Sequence, residues 1–506
     1  MNLLGLRVCA HDANVTYWDG EKIRYASFER LLQLKHHGFD SLYEWTSILD
    51  EWGVEPWEVE AICITMDTHV YSEVNIDVSK IEEEIEIDGF RDFGFKCPII
   101  RIDHHYAHTL SFWPLGVEPT IHFVFDGFGD DWMYRSVWRK DYLLDYGRHE
   151  SVKYGCNMTP SPSLGFIMSY MGDLLELKGH ELDTAGKVMA IKAFGRLGCP
   201  GVKLIEGIDN LHEVWNFDAV RNSYPHDLQW MADFIATAHE HTEQVYLKHF
   251  QEFIKPDDIV GYSGGIAQNT IINKVLRDSI PNLVIPPHAN DQGLSLGCVE
   301  YLRKHFSEAP FPRDGFPYWQ TDQAPPQRPS QEVIKDTAER LARGEVVGWY
   351  QGHGEVGPRA LGNRSILMRP DLEDGKDLIN KKVKKREPFR PFGASILEEK
   401  VSQYFYWNGP SPHMLYVTDV LEPDRFPSIT HADGTCRHQT VSLEQNEDYY
   451  KLISEFEKLT GIPMLLNTSL NVNKKPIAGR INDVIGVFRK SEMDAIVTGN
   501  KLIDKS

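Results

Sequence analysis

Short apolar runs closed by polar turns alternate along this chain with longer stretches in which apolar residues return every three or four positions. Leu3–Val8 is such a run, followed by His11-Asp12-Ala13-Asn14. Val15–Trp18 ends at the turn dipeptide Asp19-Gly20 and Ile23–Phe28 follows, which predicts a β-hairpin. Ala61–Met66, Ile99–Ile102 and Thr120–Phe125 read as buried strands. The last two run into Asp103-His104-His105-Tyr106-Ala107-His108 and Asp126-Gly127-Phe128-Gly129-Asp130-Asp131. Residues 227–250 carry Leu228, Met231, Ile235, Ala238, Val245 and Phe250 on an approximate helical stripe. A strand at Ile259–Tyr262, the turn Ser263-Gly264-Gly265, a helix near Asn269–Leu276 and a strand at Leu283–Ile285 follow. Strands alternating with helices predict an α/β architecture. Between His305 and Ser330 there are six prolines and no periodicity, which predicts an interdomain connection. Beyond it Gln331–Arg343 reads as a helix, and Val346–Tyr350 and Ala495–Thr498 as strands. The acidic run Ile81–Asp88 reads as a solvated helix face.

Length and composition narrow the picture. A chain of 506 residues exceeds one ordinary core, and 12 Trp, 21 Tyr and 24 Phe exclude disorder as its main state. The charge sum, 53 − 74 = −21, repels phosphate backbones and argues against a broad nucleic-acid-coating surface; a single nucleotide or flipped base in a local basic pocket stays open. No apolar run reaches membrane-spanning length and the first residues do not read as a signal peptide. Cys9, Cys63, Cys97, Cys156, Cys199, Cys298 and Cys436 are odd in number and never spaced CxxC. They read as small buried hydrophobes in a reducing, cytoplasmic setting.

Several segments carry candidate chemistry. His104 and His108 are four apart, so on a helix both imidazoles reach one metal ion, and Asp103 could orient a ring from behind. The ordinary alternative is a capped helix with unremarkable polar positions. Asp126, at a strand end before Gly127 and Gly129, suits a metal or water, or marks a simple turn. Ser263-Gly264-Gly265 could cradle phosphate, and Asn290-Asp291-Gln292-Gly293 offers a further carboxylate. Trp113, Trp132, Tyr134, Trp138 and Tyr170 could stack on a sugar or base, with core packing as the alternative. Arg359, Arg364, Arg369, Lys381, Lys382, Lys384, Lys385, Arg386 and Arg390 cluster within an acidic chain. They predict a pocket for a small polyanion, or a basic patch for an acidic partner.

Read in order, the motifs Glu355–Ser365 (EVGPRALGNRS), Val383–Phe392 (VKKREPFRPF), Asp433–Val441 (DGTCRHQTV) and Leu465–Val472 (LLNTSLNV) resemble the O-carbamoyltransferase family of nodulation-factor and antibiotic-tailoring enzymes. Gly5–Ala13, Lys35-His36, His104–His108, Asp126–Gly129, Gly186–Ala190, Ser263–Asn269 and Asp291–Gly293 are collinear with it, so the resemblance covers nearly the whole chain. Lys474-Lys475-Pro476 replaces the family's acidic or Gly-Glu element before proline, and Gly393 stands where Ala is usual.

The resemblance implies residues 1–308 as a duplicated actin/Hsp70-like (ASKHA) carbamoyl-transfer domain, 309–330 as a Pro-rich connection, and 331–506 as a smaller YrdC-like α/β domain that forms carbamoyl adenylate. It implies carbamoyl phosphate and ATP as substrates, a divalent metal (Fe2+ in the first domain, Mg2+ with ATP) and a hydroxyl-bearing small molecule, sugar or nucleotide as acceptor. His104, His108, Asp126 and Asp291 match the metal positions. Gly127, Gly129, Gly264, Gly265 and Asn269 match the ATP or adenylate turns, and His11, Asp12 and Lys35 line the transfer site. Arg364, Lys384, Arg386, Arg437, Asn467 and Ser469 match the carbamoyl phosphate and ATP pocket. Such a reaction needs a polarised carbonyl, a base near the acceptor, which His11 or Asp12 supplies, and cations against phosphate. The competing readings are carbamoylation of a hydroxymethyl pyrimidine in a modified-DNA pathway, a non-catalytic actin/Hsp70-like ATP-binding protein, and single-chain tRNA threonylcarbamoylation, against which the net charge of −21 counts.

Overall fold

The computed structural model describes residues 1–8, 11–39, 44–66, 74, 76–149, 161–223, 227–321 and 325–505. Cys9, Cys156 and part of the Gly5–Ala13 motif fall outside them. Three sheets organise the chain. The first contains β1 (Leu3–Val8), β2 (Asn14–Trp18), β3 (Ile23–Ser27), β4 (Ala61–Met66), β5 (Glu82–Ile85) and β6 (Ile99–Ile102), in the order β3-β2-β1-β4-β6-β5. The second contains β7 (Ile121–Phe125), β8 (Met133–Arg139), β9 (Tyr142–Arg148), β10 (Val260–Ser263) and β11 (Leu283–Val284), in the order β9-β8-β7-β10-β11. Each begins as an antiparallel meander of three strands and continues through strands parallel to its first, β4 and β6 beside β1, β10 and β11 beside β7. The same order used twice is the duplication expected of an actin/Hsp70-like architecture.

The parallel strands read as continuous apolar runs because both faces are covered; all six residues of β4 are buried. On the first sheet Trp45 packs against Phe90 and Phe95 at centroid distances of 5.4 and 5.6 Å. On the second, the helix Leu228–Phe253 starts where Asp227 accepts the Trp230 amide and lays Phe234, Ile235 and Phe250 on the strands, Phe250 stacking on Phe123 at 3.9 Å. Between the sheets, the helices His104–Leu110 and Leu294–His305 cross closely. A Cβ on Gly297 would sit 2.1 Å from the Ala107 carbonyl oxygen, so only glycine permits that crossing.

The third sheet holds β12 (Val347–Tyr350), β13 (Arg364–Met368), β14 (Gly393–Leu397), β15 (Val417–Asp419), β16 (Thr435–Val441), β17 (Met464–Ser469), β18 (Ala495–Thr498) and β19 (Lys501–Asp504), in the order β15-β16-β14-β17-β13-β12-β18-β19. The helices Gln331–Ala342 and Glu447–Thr460 give Ile334, Leu341, Leu452 and Phe456 to its core.

One expectation changes. The run Ile81–Asp88 is no helix face: Glu82–Ile85 forms the edge strand β5, antiparallel to β6, with Ile85 buried. Glutamates suit an edge strand because charge blocks further pairing there. Described residues of the proline-rich stretch are packed against the rest of the chain. Phe311 and Trp319 are buried, and Gln320 Oε1 accepts the Ser27 amide at 3.0 Å while the Gln320 backbone N–H donates to Gly354 O at 3.1 Å, joining β3 to the loop between β12 and β13. The five described cysteines are free, four of them buried and Cys97 half-buried. Among the described residues no helix is long and apolar enough to cross a membrane.

Candidate active site

Polar residues collect where the parallel strands end, the usual place for a site in α/β sheets. His11-Asp12 follows β1, His104 follows β6, Asp126 follows β7 and Ser263-Gly264 ends β10. Asp103 caps the helix His104–Leu110 by accepting the Tyr106 amide at 2.9 Å. It therefore holds the helix start instead of orienting an imidazole as expected. The helix presents His104 and His108 on one face, ring centroids 5.0 Å apart. Asp126 Oδ2 lies 3.5 Å from His104 Nε2 and 3.2 Å from His108 Nε2. Asp291 Oδ1 lies 3.5 and 3.4 Å from the same two nitrogens. The four groups thus converge from three remote stretches, with ligand atoms within 4.8 Å of one another. Arg7 Nη2 donates to Asp291 Oδ2 at 2.8 Å and fixes that carboxylate.

Burial and charge tune this cluster. Burial disfavours the charged form of His104, but the Asp291 and Asp126 carboxylates outweigh it and raise its pKa to about 10. Burial and the Asp291 charge push Asp126 up, and the two histidines override them, bringing it to about 2. Asp291 is held well below the carboxylate range by His104 and Arg7 against the cost of burial. His104 Nδ1 and Nε2 and His108 Nδ1 are buried without a hydrogen-bond partner. Two imidazoles and two carboxylates facing one point fit a divalent cation.

The turn Ser263-Gly264-Gly265 runs beside this cluster. Gly264 has φ +91°, and a Cβ there would meet the Phe125 carbonyl oxygen at 2.1 Å; one on Gly265 would lie 3.0 Å from Asp126 Oδ1. Gly127 has open space at its Cβ position, whereas Gly129 lies against the His105 ring. Asn269 has another task than facing the turn. Its Oδ1 caps the helix Thr270–Ser279 through the Ile271 and Ile272 amides, and its Nδ2 meets His239 Nε2 at 2.9 Å. Of the five aromatic candidates, Trp132 places its ring beside the Asp126–Gly129 turn, 5.1 Å from Phe128, and Tyr134 meets the turn through its backbone carbonyl, which accepts the Asp126 amide at 2.9 Å. Trp113 packs on Phe311 and Trp319, Trp138 is buried on Tyr106, Tyr134 bonds Asp209, and Tyr170 packs on Phe217.

On the first sheet's side, His11 Nδ1 lies 3.2 Å from Asp12 Oδ2 and 4.0 Å from Asp291 Oδ2. Lys35 binds Asp183, which His36 Nε2 also approaches at 3.3 Å. Asp183 and Glu29 lie outside the motifs read from the sequence, and His36 enters there through the Lys35-His36 motif without a role of its own.

The second group of candidates lies on the third sheet, and the structure sorts them. Arg364 is structural: it is 1% exposed, stacks on Tyr350 at 3.9 Å and donates to the carbonyls of Gln351, Gly352 and Asn363. Asn467 is fully buried, donating to Ala360 O and Ser395 Oγ. Lys384 donates to Ser469 O and Oγ at 2.7 and 3.1 Å and to Asn471. Arg386 donates to Asn380 Oδ1 and Pro391 O. Arg437, by contrast, has no hydrogen-bond or ion-pair partner for its guanidinium among the described residues, and its Nε is buried. Burial, with repulsion from Arg390, lowers its pKa to about 10. Burial and neighbouring cations also pull Arg359, Lys384 and Arg386 well below their usual values. Among the described residues the Arg390 guanidinium has only Glu387 Oε2, at 3.9 Å. Cations gathered with so few carboxylates between them are suited to an anion.

This cation cluster faces the first group of candidates. Arg359 Nη2 donates to Gln268 O, at the end of the Gly264 turn, at 3.3 Å; Lys187, on the helix that carries Asp183, pairs with Glu387 at 2.5 Å; and the Lys35 charge acts on Lys384.

Residues 338–505 match the family model described as carbamoyltransferase C-terminus. The chain is 31% identical to nodulation protein NolNO of Sinorhizobium fredii, over 98% of this chain and 79% of that one. It is 26% identical to the 3'-hydroxymethylcephem-O-carbamoyltransferase of Amycolatopsis lactamdurans, over 83% of each chain. Superposition on the solved structure of T. kodakarensis HypF gives a TM-score of 0.41 at 12% identity, over 60% of this chain and 48% of that one, and the fold assignment rests on strand order instead. With a relative matched over nearly its whole length and a family domain spanning its third sheet, the chain belongs to the O-carbamoyltransferase family.

Proposed function

We propose that within residues 331–506 this enzyme uses water to release phosphate from carbamoyl phosphate and lets the resulting carbamate displace pyrophosphate from ATP, giving carbamoyl adenylate, and that within residues 1–308 it transfers the carbamoyl group to an acceptor hydroxyl. The observation that carries this reading is the group of buried, mutually repelling cations around Arg437, facing across the interface a cluster of metal-type ligands. Both substrates of the first step are polyanions, and binding them supplies the missing negative charge. Arg437, Arg390 and Arg359 are the groups proposed to meet phosphate. Lys384, with Ser469, and Arg386 shape the wall, and Arg364 and Asn467 hold the strands behind it.

In the transfer step the acceptor oxygen attacks the carbamoyl carbon, the bond to the adenylate oxygen breaks, and AMP leaves with the electron pair. The acceptor's proton passes to His11 or Asp12. His11 is part-exposed and suited to meet an incoming hydroxyl, and Asp12 behind it stabilises the imidazolium that forms. Lys35 stands at the same opening, held by Asp183. A divalent cation, Fe2+ by the family resemblance, would be held by His104, His108, Asp126 and Asp291 and would polarise the carbamoyl carbonyl as a Lewis acid. The Ser263-Gly264-Gly265 turn is proposed to take the adenylate phosphate, since it lies beside Asp126 and touches Arg359 through Gln268.

The test is incubation with ATP and isotopically labelled carbamoyl phosphate, with and without a panel of hydroxyl acceptors. ATP consumption that depends on carbamoyl phosphate, and a mass gain of one carbamoyl group on an acceptor, are expected. A folded protein that consumes no ATP when given carbamoyl phosphate would refute the reading.

A further inference from the structure

A second group of ligand-type side chains lies beside the first site. Asp12, Glu29 and His36 bring one ligand atom each within 4.8 Å of one another. Asp12 follows β1, Glu29 lies in the short helix Phe28–Leu32 and His36 follows that helix. The Asp12 side chain is 7% exposed, and its Oδ1 has no hydrogen-bond partner. That oxygen points at His36 Nδ1, 3.5 Å away, which also has none. Both residues hold positive φ, +54° and +53°, which a side chain adopts only at a cost.

The surrounding groups orient this trio. His36 Nε2 lies 3.3 Å from Asp183 Oδ1, and Asp183 is itself paired with Lys35. A carboxylate behind one imidazole nitrogen, leaving the other nitrogen facing two carboxylates, is the arrangement by which proteins present a metal-binding histidine. Glu29 is positioned by Gln292 Nε2 at 3.0 Å and by the His36 amide at 3.1 Å. The cations nearby are committed elsewhere: Arg30 donates to Gly357 O, and Arg7 to Asp291. His180 lies tilted against His36, ring centroids 4.8 Å apart, and Glu181 and Asp183 follow it on the same helix. Asp12 therefore faces two imidazoles, His11 through Oδ2 and His36 through Oδ1, and His36 is the imidazole that Asp12 and Glu29 share.

We propose that Asp12, Glu29 and His36 bind a second divalent cation, of the kind that accepts two carboxylates and one imidazole, such as Mn2+. His11 stands between the two centres, within 3.2 Å of Asp12 Oδ2 and 4.0 Å of Asp291 Oδ2. A cation on Asp12 would leave His11 as the proton acceptor for the incoming hydroxyl. That consequence alone rests on the transfer reading above; binding of the cation does not.

The experiment is Mn2+ titration of the full chain after chelator treatment, followed by calorimetry and by electron paramagnetic resonance with detection of coupled imidazole nitrogen. A His104→Ala/His108→Ala protein, stripped of the first site, should still bind one equivalent of Mn2+ and show a coupled nitrogen. Adding His36→Gln should abolish the nitrogen coupling and weaken binding at least about tenfold. Asp183→Asn, which leaves all three ligands in place, should weaken it by about 10–100-fold. Asp12→Asn, nearly isosteric, covers the case in which the His36 variant fails to fold. If the His104→Ala/His108→Ala protein is folded and binds no Mn2+, or if neither His36→Gln nor Asp12→Asn alters its binding, the second site is refuted and His36 is an imidazolium paired with Asp12 and Asp183. No turnover is measured, so failure here is distinct from failure of carbamoyl transfer.

Discussion

Replacing Arg437 by alanine separates a ligand-binding cation from a structural one, because the two roles have opposite consequences for the empty protein. The guanidinium has no ion-pair or hydrogen-bond partner among the described residues, and burial and Arg390 both disfavour its charge. Its removal therefore leaves no buried carboxylate unpaired and relieves repulsion on Arg386 and Arg359, whose charges it opposes. The ligand-free variant should be as stable as the parent, or slightly more so. Binding should move the other way. A charge-assisted contact to phosphate contributes roughly 1.5–3 kcal/mol, so its loss weakens carbamoyl phosphate by about one to two decades. Ligand present at about 100 times Kd stabilises the parent by about 2.7 kcal/mol; at the same concentration a tenfold weaker site gives about 1.4 and a hundredfold weaker one about 0.4. Thermal unfolding of both proteins across a series of carbamoyl phosphate and ATP concentrations reads both effects together. Arg437→Lys should recover only part of the affinity, since an ammonium keeps the charge but not the planar fork. A ligand-free Tm that falls by many degrees with unchanged ligand-induced shifts would refute the assignment of Arg437 to the anion site.

Three further outcomes are expected. Gly297→Ala drives a methyl group to 2.1 Å from the Ala107 backbone oxygen, so the helices must part; a loss of about 1–3 kcal/mol in denaturant unfolding and a weakened divalent-metal site are expected, and an unchanged unfolding midpoint would contradict the close crossing. Arg30→Met strands buried Glu355, whose Oε2 is 3.9 Å from Arg30 Nη1, and should cost about 3–5 kcal/mol by denaturant titration; a loss below about 1 kcal/mol would show that Glu355 is sufficiently held by the Leu361, Asn363 and Arg364 amides. Asn269→Ala should lower stability by about 1 kcal/mol and leave ATP affinity within twofold of the parent, as a helix cap would, whereas a tenfold loss of ATP affinity at unchanged stability would return Asn269 to the adenylate turn.

Much of the architecture was legible in local pattern. Strand and helix periods are properties of neighbouring residues, so β4, β6 and β18 fall where the apolar runs predict, and the helix His104–Leu110 presents His104 and His108 together because residues four apart share a face. The family motifs also placed Asp126 and Asp291 with those histidines, although nothing in their spacing brings them near. Which partner a segment or a charge meets was decided only by tertiary contact. Glu82–Ile85 became an edge strand because β6 offered it a hydrogen-bonding edge, a fact absent from its own composition. The basic residues of the third sheet look alike in the chain. Arg364 is enclosed by backbone carbonyls, while Arg437 is left without a carboxylate, and only packing of remote strands makes that difference. His36 and Asp183 likewise acquire meaning from a contact between a loop and a helix far apart in sequence. Periodicity is set by the geometry of adjacent peptide units, whereas the chemistry of a buried ionisable group is set by what the rest of the fold leaves beside it.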